Sequence, residues 1–435
     1  MKPRAAHRVS DPSPNLRLVR LEKPVYGGAF LARDQGKAVF VPLTLPGEEA
    51  RVRIVEDKGG YAKAEAAEIV AAAPQRVTPE CRHFGACGGC HYQHASYEAQ
   101  LGFKQSILRE TLERAGVRPP DEIAVLAAGP WAYRNRIRLA FAPSGAPGYR
   151  ARRSHAIVPI AECPIAAPLL VRAALAAAEI VRQSPPARRP AEISLFCDAE
   201  ESSLLAGIYA GGAAKLPFEE LCRALAAQVP ELQGAEYVVE DRAGRSRPMA
   251  QWGAPSLDYR AAGFTYRVDH GAFFQVNRWL VDALAERVTA GHQGGVAWDL
   301  FAGVGLFARR LAANFARVIA VESAPSATGA LEHNLRGTGA TAERSATLDF
   351  LRRSHRDEQP ELVIADPPRT GLGAETTPLL ARCAAPALVY VSCDPATLAR
   401  DLRALIGSGY SIHEITVADL FPQTFHIETI VHLRR

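Results

Sequence analysis

The stretch Leu388–Asp401, LVYVSCDPATLARD, decides how the last third of this 435-residue chain folds. Leu388, Val389, Tyr390 and Val391 form a short β-rich run between turn signals, the pattern of a strand buried on both faces of a sheet. The run ends at Ser392-Cys393. Asp394 suits the capping of free backbone N–H groups, Pro395 suits a first turn, and Ala396 to Leu405 are good helix formers, so a helix follows at once. A thiol therefore falls at the carboxyl end of a strand. Open α/β sheets bind their ligands along that edge, and a helix N-terminus beside it favours the thiolate. A single cysteine is ordinarily a core residue; the residues around this one argue for a reacting group.

Working outward, VAWDLFAGVGLFARRLA (296–312) reads as strand, glycine turn and helix, with Gly303, Gly305 and Ala308 in a G-x-G-x-x-A pattern. VIAVES (318–323) is a second strand ending in Glu322, about twenty residues on, where an acid would read a ribose hydroxyl. ELVIADPPRTGLG (361–373) is another apolar strand, ending in Asp366-Pro367-Pro368-Arg369. DLFPQTFHIETIVHLRR (419–435) supplies a closing hairpin carrying His426 and Glu428. Strands and helices alternate over 295–435, which predicts one doubly wound sheet. Ahead of it, HGAFFQVNRWLVDALAERV places Phe273, Phe274 and Gln275 at the entrance to a helix.

The N-terminal part is built differently. After a Pro- and Ser-rich lead-in over 1–14, LRLVRL, GAFLAR, KAVFVPLT, EARVRIVED and YAKAEAAEIV read as five strands joined by tight glycine turns. Five short strands in about 55 residues predict a small closed barrel of the oligonucleotide-binding type. Their order, YGGAFLARDQGKAVFVPLTLPGE followed by GGYAKAEAAEIV, resembles the TRAM domain, an RNA-binding barrel appended to RNA-modifying enzymes. CRHFGACGGCHYQH follows, with Cys81, Cys87 and Cys90 spaced C-x5-C-x2-C, and Cys163 in AECPIAAP is the natural fourth ligand. Four thiolates suit zinc or an iron–sulfur cluster, and spacing alone does not separate them. A helix is expected from Tyr92 to about Arg118. WAYRNRIRLAF (131–141) alternates Arg134, Arg136 and Arg138 on one strand face, as a phosphate track or a solvated surface would. Residues 165–260 read as mixed helices and strands with no catalytic motif.

Composition bounds these readings. A chain of this length holds two to three domains, and 48% apolar against 22% charged residues marks a globular protein. No run approaches the roughly 18 apolar residues of a membrane span. No secretory signal opens the chain, so a cytoplasmic location is expected. A net charge of +5 is compatible with a polyanionic partner and does not demand one.

A nucleoside-cofactor turn, an acidic Pro-Pro loop, a thiol and the carboxylate of Glu428 along one sheet edge point to conjugate addition on a pyrimidine. Carbon 5 of uracil becomes nucleophilic once a thiolate adds to carbon 6. A base must then remove the carbon 5 proton so that the thiol leaves, a role for Glu428. Over nearly its whole length the chain resembles RNA uracil-5 methyltransferases, most closely the branch acting on 23S ribosomal RNA. The motifs are the barrel, CRHFGACGGC with AECP, YRNRIRL, FFQVN, DLFAGVG, ADPPRTG, VYVSCDPATLARD and DLFPQTFHIE. The resemblance implies Cys393 as nucleophile and Glu428 as proton acceptor. It implies Gln275, Phe301, Gly303, Glu322 and Asp366 around S-adenosylmethionine, Phe273 near a flipped uracil and Arg134 as a candidate RNA contact. It also implies that Cys81, Cys87, Cys90 and Cys163 hold a 4Fe-4S cluster. The chain departs from the commonest pattern at Ala302, where Cys is frequent, at Leu306, where a polar residue is frequent, and at Asp394, where Asn is frequent.

The expected architecture is therefore a multidomain α/β protein. It has a TRAM barrel over 15–72 and a central α+β iron–sulfur domain over 73–262, whose segment 93–125 packs on the catalytic domain. A Rossmann-like methyltransferase domain follows over 263–435, and a monomer is expected. Transfer RNA is the second substrate after 23S RNA. A cytosine-5 methyltransferase would share the thiolate but not the Glu428 arrangement. An amino-group methyltransferase would want an aromatic where Arg369 stands, and a nicotinamide dehydrogenase leaves Cys393 and the cysteine cluster unexplained. A non-catalytic RNA-binding protein has no need of Cys393 and Glu428.

Overall fold

The structure is a computed structural model that describes residues 16–210, 217–240, 246–354 and 359–435; the lead-in expected over 1–14 lies outside them. Strands β1 (Leu16–Val25), β2 (Ala29–Asp34), β3 (Lys37–Pro42), β4 (Glu49–Asp57) and β5 (Tyr61–Ala71) close into a barrel in the order β1-β2-β3-β5-β4. Alternate residues point inward, among them Val19, Leu21, Phe30, Val39, Val41, Val52 and Ala64, as a half-buried strand requires. These are the five strands expected from the sequence.

Helix α1 (Tyr97–Arg114) begins five residues later than expected. Ser96 caps it, accepting from Ala99 N at 3.4 Å, and Tyr92 is instead buried against the barrel, its ring 5.9 Å from Phe30. The short strand β6 (Ala124–Leu126) follows.

A seven-stranded sheet is made from β7 (Arg136–Phe141), β8 (Pro147–Arg150), β9 (Ile157–Pro159), β10 (Glu192–Cys197), β11 (Leu204–Ala210), β12 (Leu232–Glu240) and β13 (Ser246–Gly253), in the order β13-β12-β11-β10-β7-β8-β9. Helices α2 (Pro168–Gln183) and α3 (Phe218–Gln228) share one core with this sheet. Strand β7 starts only at Arg136, so Arg134 precedes it. Arg136 is taken up inside the protein, and Arg138, though exposed, is ion-paired rather than free. Arg136 lies over Phe196 and donates to the Ala272 carbonyl at 2.7 Å. Arg138 lies over Tyr209 and pairs with Glu192 and Glu240.

The hairpin of β14 (Ser256–Ala261) and β15 (Phe264–Asp269) turns at Ala262-Gly263. Its Leu257, Tyr259, Tyr266 and Val268 pack in one cluster with the last domain's core, and the hairpin spans the expected boundary at 262/263. That domain then runs α4 (Val281–Thr289), β16 (Gly294–Leu300), α5 (Leu306–Leu311), β17 (Phe315–Glu322), α6 (Pro325–Asn334), β18 (Ala340–Arg344), α7 (Thr347–Ser354), β19 (Leu362–Ala365), α8 (Gly373–Cys383), β20 (Ala387–Ser392), α9 (Pro395–Gly407), β21 (Ser411–Ala418) and β22 (Glu428–Arg434). The sheet order is β18-β17-β16-β19-β20-β22-β21-β6. Strands β16 to β20 are mutually parallel, and β22 enters antiparallel to β20. β6 pairs with β21, so the segment after α1 completes this sheet's edge. Trp298, Leu300, Val363, Leu388 and Tyr390 face one core, and Ala297, Ile364, Val389 and Val391 the other. Near-continuous apolar strands with both faces covered are what a doubly wound sheet demands. The strand order reverses between β16 and β19, which opens a crevice at their carboxyl ends.

Candidate active site

Five strand ends converge on that edge. Phe301 to Gly303 follow β16, Glu322 ends β17, Asp366 follows β19 and Cys393 follows β20. Glu428 is the first residue of β22, and because β22 runs antiparallel, its start meets the end of β20. Ser392 lies opposite Thr429, so the next residues in line on the two strands are Cys393 and Glu428. Asp394 caps α9, accepting from Ala396 N and Thr397 N at 3.0 and 2.9 Å, which fixes the bend that carries the thiol.

The turn after β16 is tight and left-handed, with φ of +63° at Phe301, +56° at Gly303 and +91° at Gly305. A positive φ at a non-glycine residue costs on the order of 1–3 kcal/mol and is characteristic of functional turns. Glu322 reaches across to it. Its carboxylate accepts from Gly303 N at 2.9 Å, and from Ser323 N and Ala324 N at 2.7 and 2.6 Å. Leu306, where a polar residue is frequent, is buried in the apolar core. Gln275 is buried, its carbonyl held by Asn135 Nδ2 at 2.9 Å, whereas Phe273 stands 61% exposed.

The electrostatics are unusual for a region rich in acids. Burial pushes Asp366 up to about 7. Burial, and then the charge of Asp366, holds Glu428 well above the usual carboxylate range, with Arg369 opposing. Cys393 is pushed up to about 11, first by burial and then by Glu428 and Asp366, again against Arg369. Asp299 was not singled out from the sequence. It is raised to about 8, chiefly by burial; one oxygen accepts from Ala308 N at 2.8 Å and the other is buried without a partner. Its signal was an acid inside an apolar strand just before the glycine turn.

The loop from Asp419 to Ile427, which leads into Glu428, is held from outside its own domain. Lys104 of α1, fully buried, bonds Asp419 Oδ1 at 2.5 Å and the Phe421 carbonyl at 3.0 Å. Tyr97 donates to Asp419 Oδ2 at 2.8 Å, and Tyr133 to the Pro422 carbonyl at 3.0 Å. His91 N and Tyr92 N both donate to the Gln423 carbonyl, at 2.8 and 3.0 Å. His426, packed among Phe421 and Phe425, has Nδ1 3.5 Å from Arg369, and burial lowers it to about 4, so its ring is neutral.

The four cysteines expected to bind a cluster are free thiols. Burial raises the Cys90 thiol to about 12, with a smaller contribution from the neighbouring Cys163, Cys87 and Cys81 sulfurs. Donors point at the sulfurs: Gly89 N to Cys87 at 3.4 Å, and Gln93 to Cys90. Tyr149 Oη lies 3.9 Å from the Cys163 sulfur. The donor set thus has the chemistry of a thiolate site, but among the described residues no three His, Cys, Asp or Glu groups are arranged to hold a metal ion. A cavity of about 550 Å³ opens beside this loop, between the barrel turn at Gly27 and the arginines 138, 150, 152 and 153. Arg134 contacts the carbonyl of Arg136 through Nε at 3.1 Å. Among the described residues no helix is long and apolar enough to cross a membrane.

Comparison with known proteins gives consistent matches. Residues 254–435 match the tRNA (Uracil-5-)-methyltransferase family, and residues 17–67 match the TRAM domain. A 23S rRNA (uracil(1939)-C(5))-methyltransferase RlmD from Halomonas elongata is 33% identical, over 94% of this chain and 87% of its own. Its counterpart from Chromohalobacter salexigens is 34% identical, over 95% and 88%. Among solved structures, the Pyrococcus abyssi tRNA (uracil-54, C5)-methyltransferase in complex with S-adenosyl-L-homocysteine superposes with a TM-score of 0.76 at 24% identity. That match covers 95% of this chain and 99% of the other, and it establishes the shared fold.

Proposed function

The chain belongs to the RNA uracil-C5 methyltransferase family, and from that premise we propose that it methylates carbon 5 of a uridine in 23S ribosomal RNA, with S-adenosylmethionine as methyl donor. The observation that carries this reading is the pairing of β20 with β22, which sets Cys393 and Glu428 side by side at the ligand-binding edge.

The Cys393 thiolate adds to carbon 6 of the uracil, and the carbon 5 enolate so formed takes the methyl group. Glu428 accepts the carbon 5 proton, the carbon 6–sulfur bond breaks, and Cys393 returns as thiolate. S-adenosylmethionine would supply an electrophilic methyl group on a sulfonium. Gln275, Phe301, Gly303, Glu322 and Asp366 would hold it, with Asp299 bracing the turn. The reacting carbon is inaccessible inside a helix, so the uridine leaves its stack; exposed Phe273 offers it an aromatic face, and Arg134 a positive charge beside it. The barrel and the arginine-lined cavity take the flanking RNA. By their chemistry Cys81, Cys87, Cys90 and Cys163 are the residues that would hold a 4Fe-4S cluster, and its work would be structural because methyl transfer has no redox step.

The relatives at 33 and 34% identity carry the 23S name, and this favours ribosomal over transfer RNA. The test is transfer of label from S-adenosylmethionine to separated 23S, 16S and transfer RNA lacking the modification. Label in 23S RNA that digests to 5-methyluridine supports the reading. Label in transfer RNA alone overturns the substrate, and no 5-methyluridine in any of them overturns the activity.

A further inference from the structure

The seven-stranded sheet has two faces, and its helices cover one. Ile137, Leu195, Ala206 and Ala235 share a core with α2 and α3. Their neighbours along each strand point the other way, and the register sets them in rows. Arg138, Ser194, Gly207 and Glu236 lie side by side across β7, β10, β11 and β12. One row over stand Arg136, Phe196 and Leu205. That row is sealed, because Phe196 and Leu205 pack in the core of the catalytic domain, with the Phe196 ring 6.0 Å from Tyr259 and 6.4 Å from Phe274. The row from Arg138 to Glu236 is left open, and a cavity of about 300 Å³ stands on it.

The residues explain its shape. Gly207 is the floor: a Cβ there would stand 3.2 Å from the Tyr209 ring and 3.5 Å from the Ser194 Cβ, so a side chain would fill the space. Ser194 and Glu236 flank this bare floor, about 10 Å apart at twice the spacing of neighbouring strands. The rim is Asp269-His270-Gly271, the segment that leads into Phe273 and Gln275, and Arg136 ties it to the sheet through the Ala272 carbonyl at 2.7 Å. The cavity therefore adjoins the loop whose residues are assigned to the target uracil and the methyl donor. Arg138 lines both this cavity and the larger one beside the barrel, so the two adjoin along the sheet.

Its charges are not those of a phosphate track. Arg138 is engaged by two glutamates. Glu236 is the reverse: a half-buried carboxylate lining the cavity, raised by burial, with no ion-pair or hydrogen-bond partner among the described residues. A desolvated carboxylate is costly unless something donates to it. Phosphates offer no donor. The flat floor between a carboxylate and the Ser194 hydroxyl suits a planar ring that carries an amino group with a ring acceptor beside it, since serine serves as donor or acceptor. Adenine, guanine and cytosine have such an edge, and uracil has no exocyclic amino group.

We propose that this cavity is a base-recognition site. It takes an amino-bearing base from a nucleotide flanking the target uridine, with Glu236 accepting from the amino group, Ser194 meeting the ring acceptor and Gly207 leaving room for the ring. This rests on the reading of the chain as an RNA methyltransferase, and it adds to that reading a residue that selects sequence.

The test uses full-length wild type, Glu236→Ala and Glu236→Gln with the 23S RNA fragment that the wild type methylates, made as a set. In each member one flanking nucleotide loses its amino group, with inosine for guanosine, purine riboside for adenosine or 2-pyrimidinone riboside for cytidine, or else loses its 2′-hydroxyl. RNA affinity and single-turnover methyl transfer are measured separately. One amino deletion should weaken wild-type affinity roughly tenfold. Glu236→Ala should lose as much with unaltered RNA and be indifferent to that deletion, while Glu236→Gln, which keeps a carbonyl acceptor, should retain most of the discrimination. An equal response of wild type and Glu236→Ala to every deletion overturns the proposal. So does tighter binding of all the RNAs by Glu236→Ala, the mark of simple charge repulsion, or a loss that follows a 2′-hydroxyl instead. Because the carboxylate has no protein partner, Glu236→Ala should melt no lower than wild type; an earlier melt assigns Glu236 to the fold and overturns its role in recognition. Formation of 5-methyluridine by the wild type is scored in the same reactions. Its absence sinks the underlying activity and this site with it, whereas methylation without discrimination sinks the base site alone.

Discussion

Asp366 and Glu428 share one buried corner of the sheet edge, and the charge of Asp366 is the largest influence on Glu428 after burial itself. One acid follows a parallel strand and the other opens an antiparallel one, so the topology alone brings them together. Two carboxyls in one low-dielectric pocket resist ionising together, which leaves one of them a ready proton acceptor and both of them costly to the fold.

That cost has a sign. Burial pushes Asp366 up to about 7 from the ordinary carboxylate value of about 4. Its contribution to stability is therefore full below about pH 4 and is lost as pH rises through about 7. Asp366→Asn removes the loss. The variant should melt higher than wild type at pH 8, by roughly 2–4 °C for each kcal/mol relieved, and show no such gain at pH 4, while methyl transfer falls. Calorimetry at the two pH values checks it. The variant also removes a negative neighbour of Cys393, so alkylation of that thiol at pH 8 should quicken.

Glu428→Gln separates the steps of the reaction. In the proposed mechanism addition and methylation do not need the carboxylate but proton removal does, so turnover should fall by about 10²–10⁴-fold while protein accumulates bound to methylated RNA. A denaturing gel with labelled methyl donor reads this as a slow band. Free 5-methyluridine released at the wild-type rate would place the base elsewhere.

The pair Lys104–Asp419 is buried at 0% exposure on both sides and anchors the loop that ends in Glu428. Removing one partner strands a charge in the interior and costs about 3–5 kcal/mol. Lys104→Met should therefore lower stability by that order and slow methyl transfer. Adding Asp419→Asn should recover part of the stability, since the stranded charge is gone. Urea unfolding of the wild type and the two variants checks the pattern.

For the cysteines, protein purified without oxygen should contain about four iron and four sulfide per chain. Cys163→Ser should lose both, melt earlier and bind RNA more weakly. One zinc per chain and no iron would replace the cluster with a zinc site. Because His91 and Tyr92, just after Cys90, hold the Gln423 carbonyl, loss of the metal should also slow methyl transfer.

Much of the fold was legible from local pattern. The five barrel strands, the glycine turn and the strands ending in Glu322, Asp366 and Cys393 each announce themselves within a dozen residues, because a buried strand is apolar and a turn needs glycine or proline. What was not legible depends on distant pairing. Nothing near Lys104 shows that its amine will meet an acid 315 residues away. Nothing near Tyr26 shows that a barrel turn will pack on Phe425. Asp299 does carry a local signal, an acid in an apolar strand just before the glycine turn. Arg136 misled in the other direction, because alternation shows which side chains share a face but not that Phe196 will lie beneath this one.

The central claim is that Cys393 bonds covalently to the pyrimidine and that release requires loss of the carbon 5 proton. Substrate RNA made with 5-fluorouridine has no such proton to lose. Incubated with wild-type protein and S-adenosylmethionine, it should give a complex stable to denaturation, and peptide mass spectrometry should place the bond on Cys393, with none formed by Cys393→Ala. An active enzyme that forms no such complex, or forms it through another cysteine, would contradict the account.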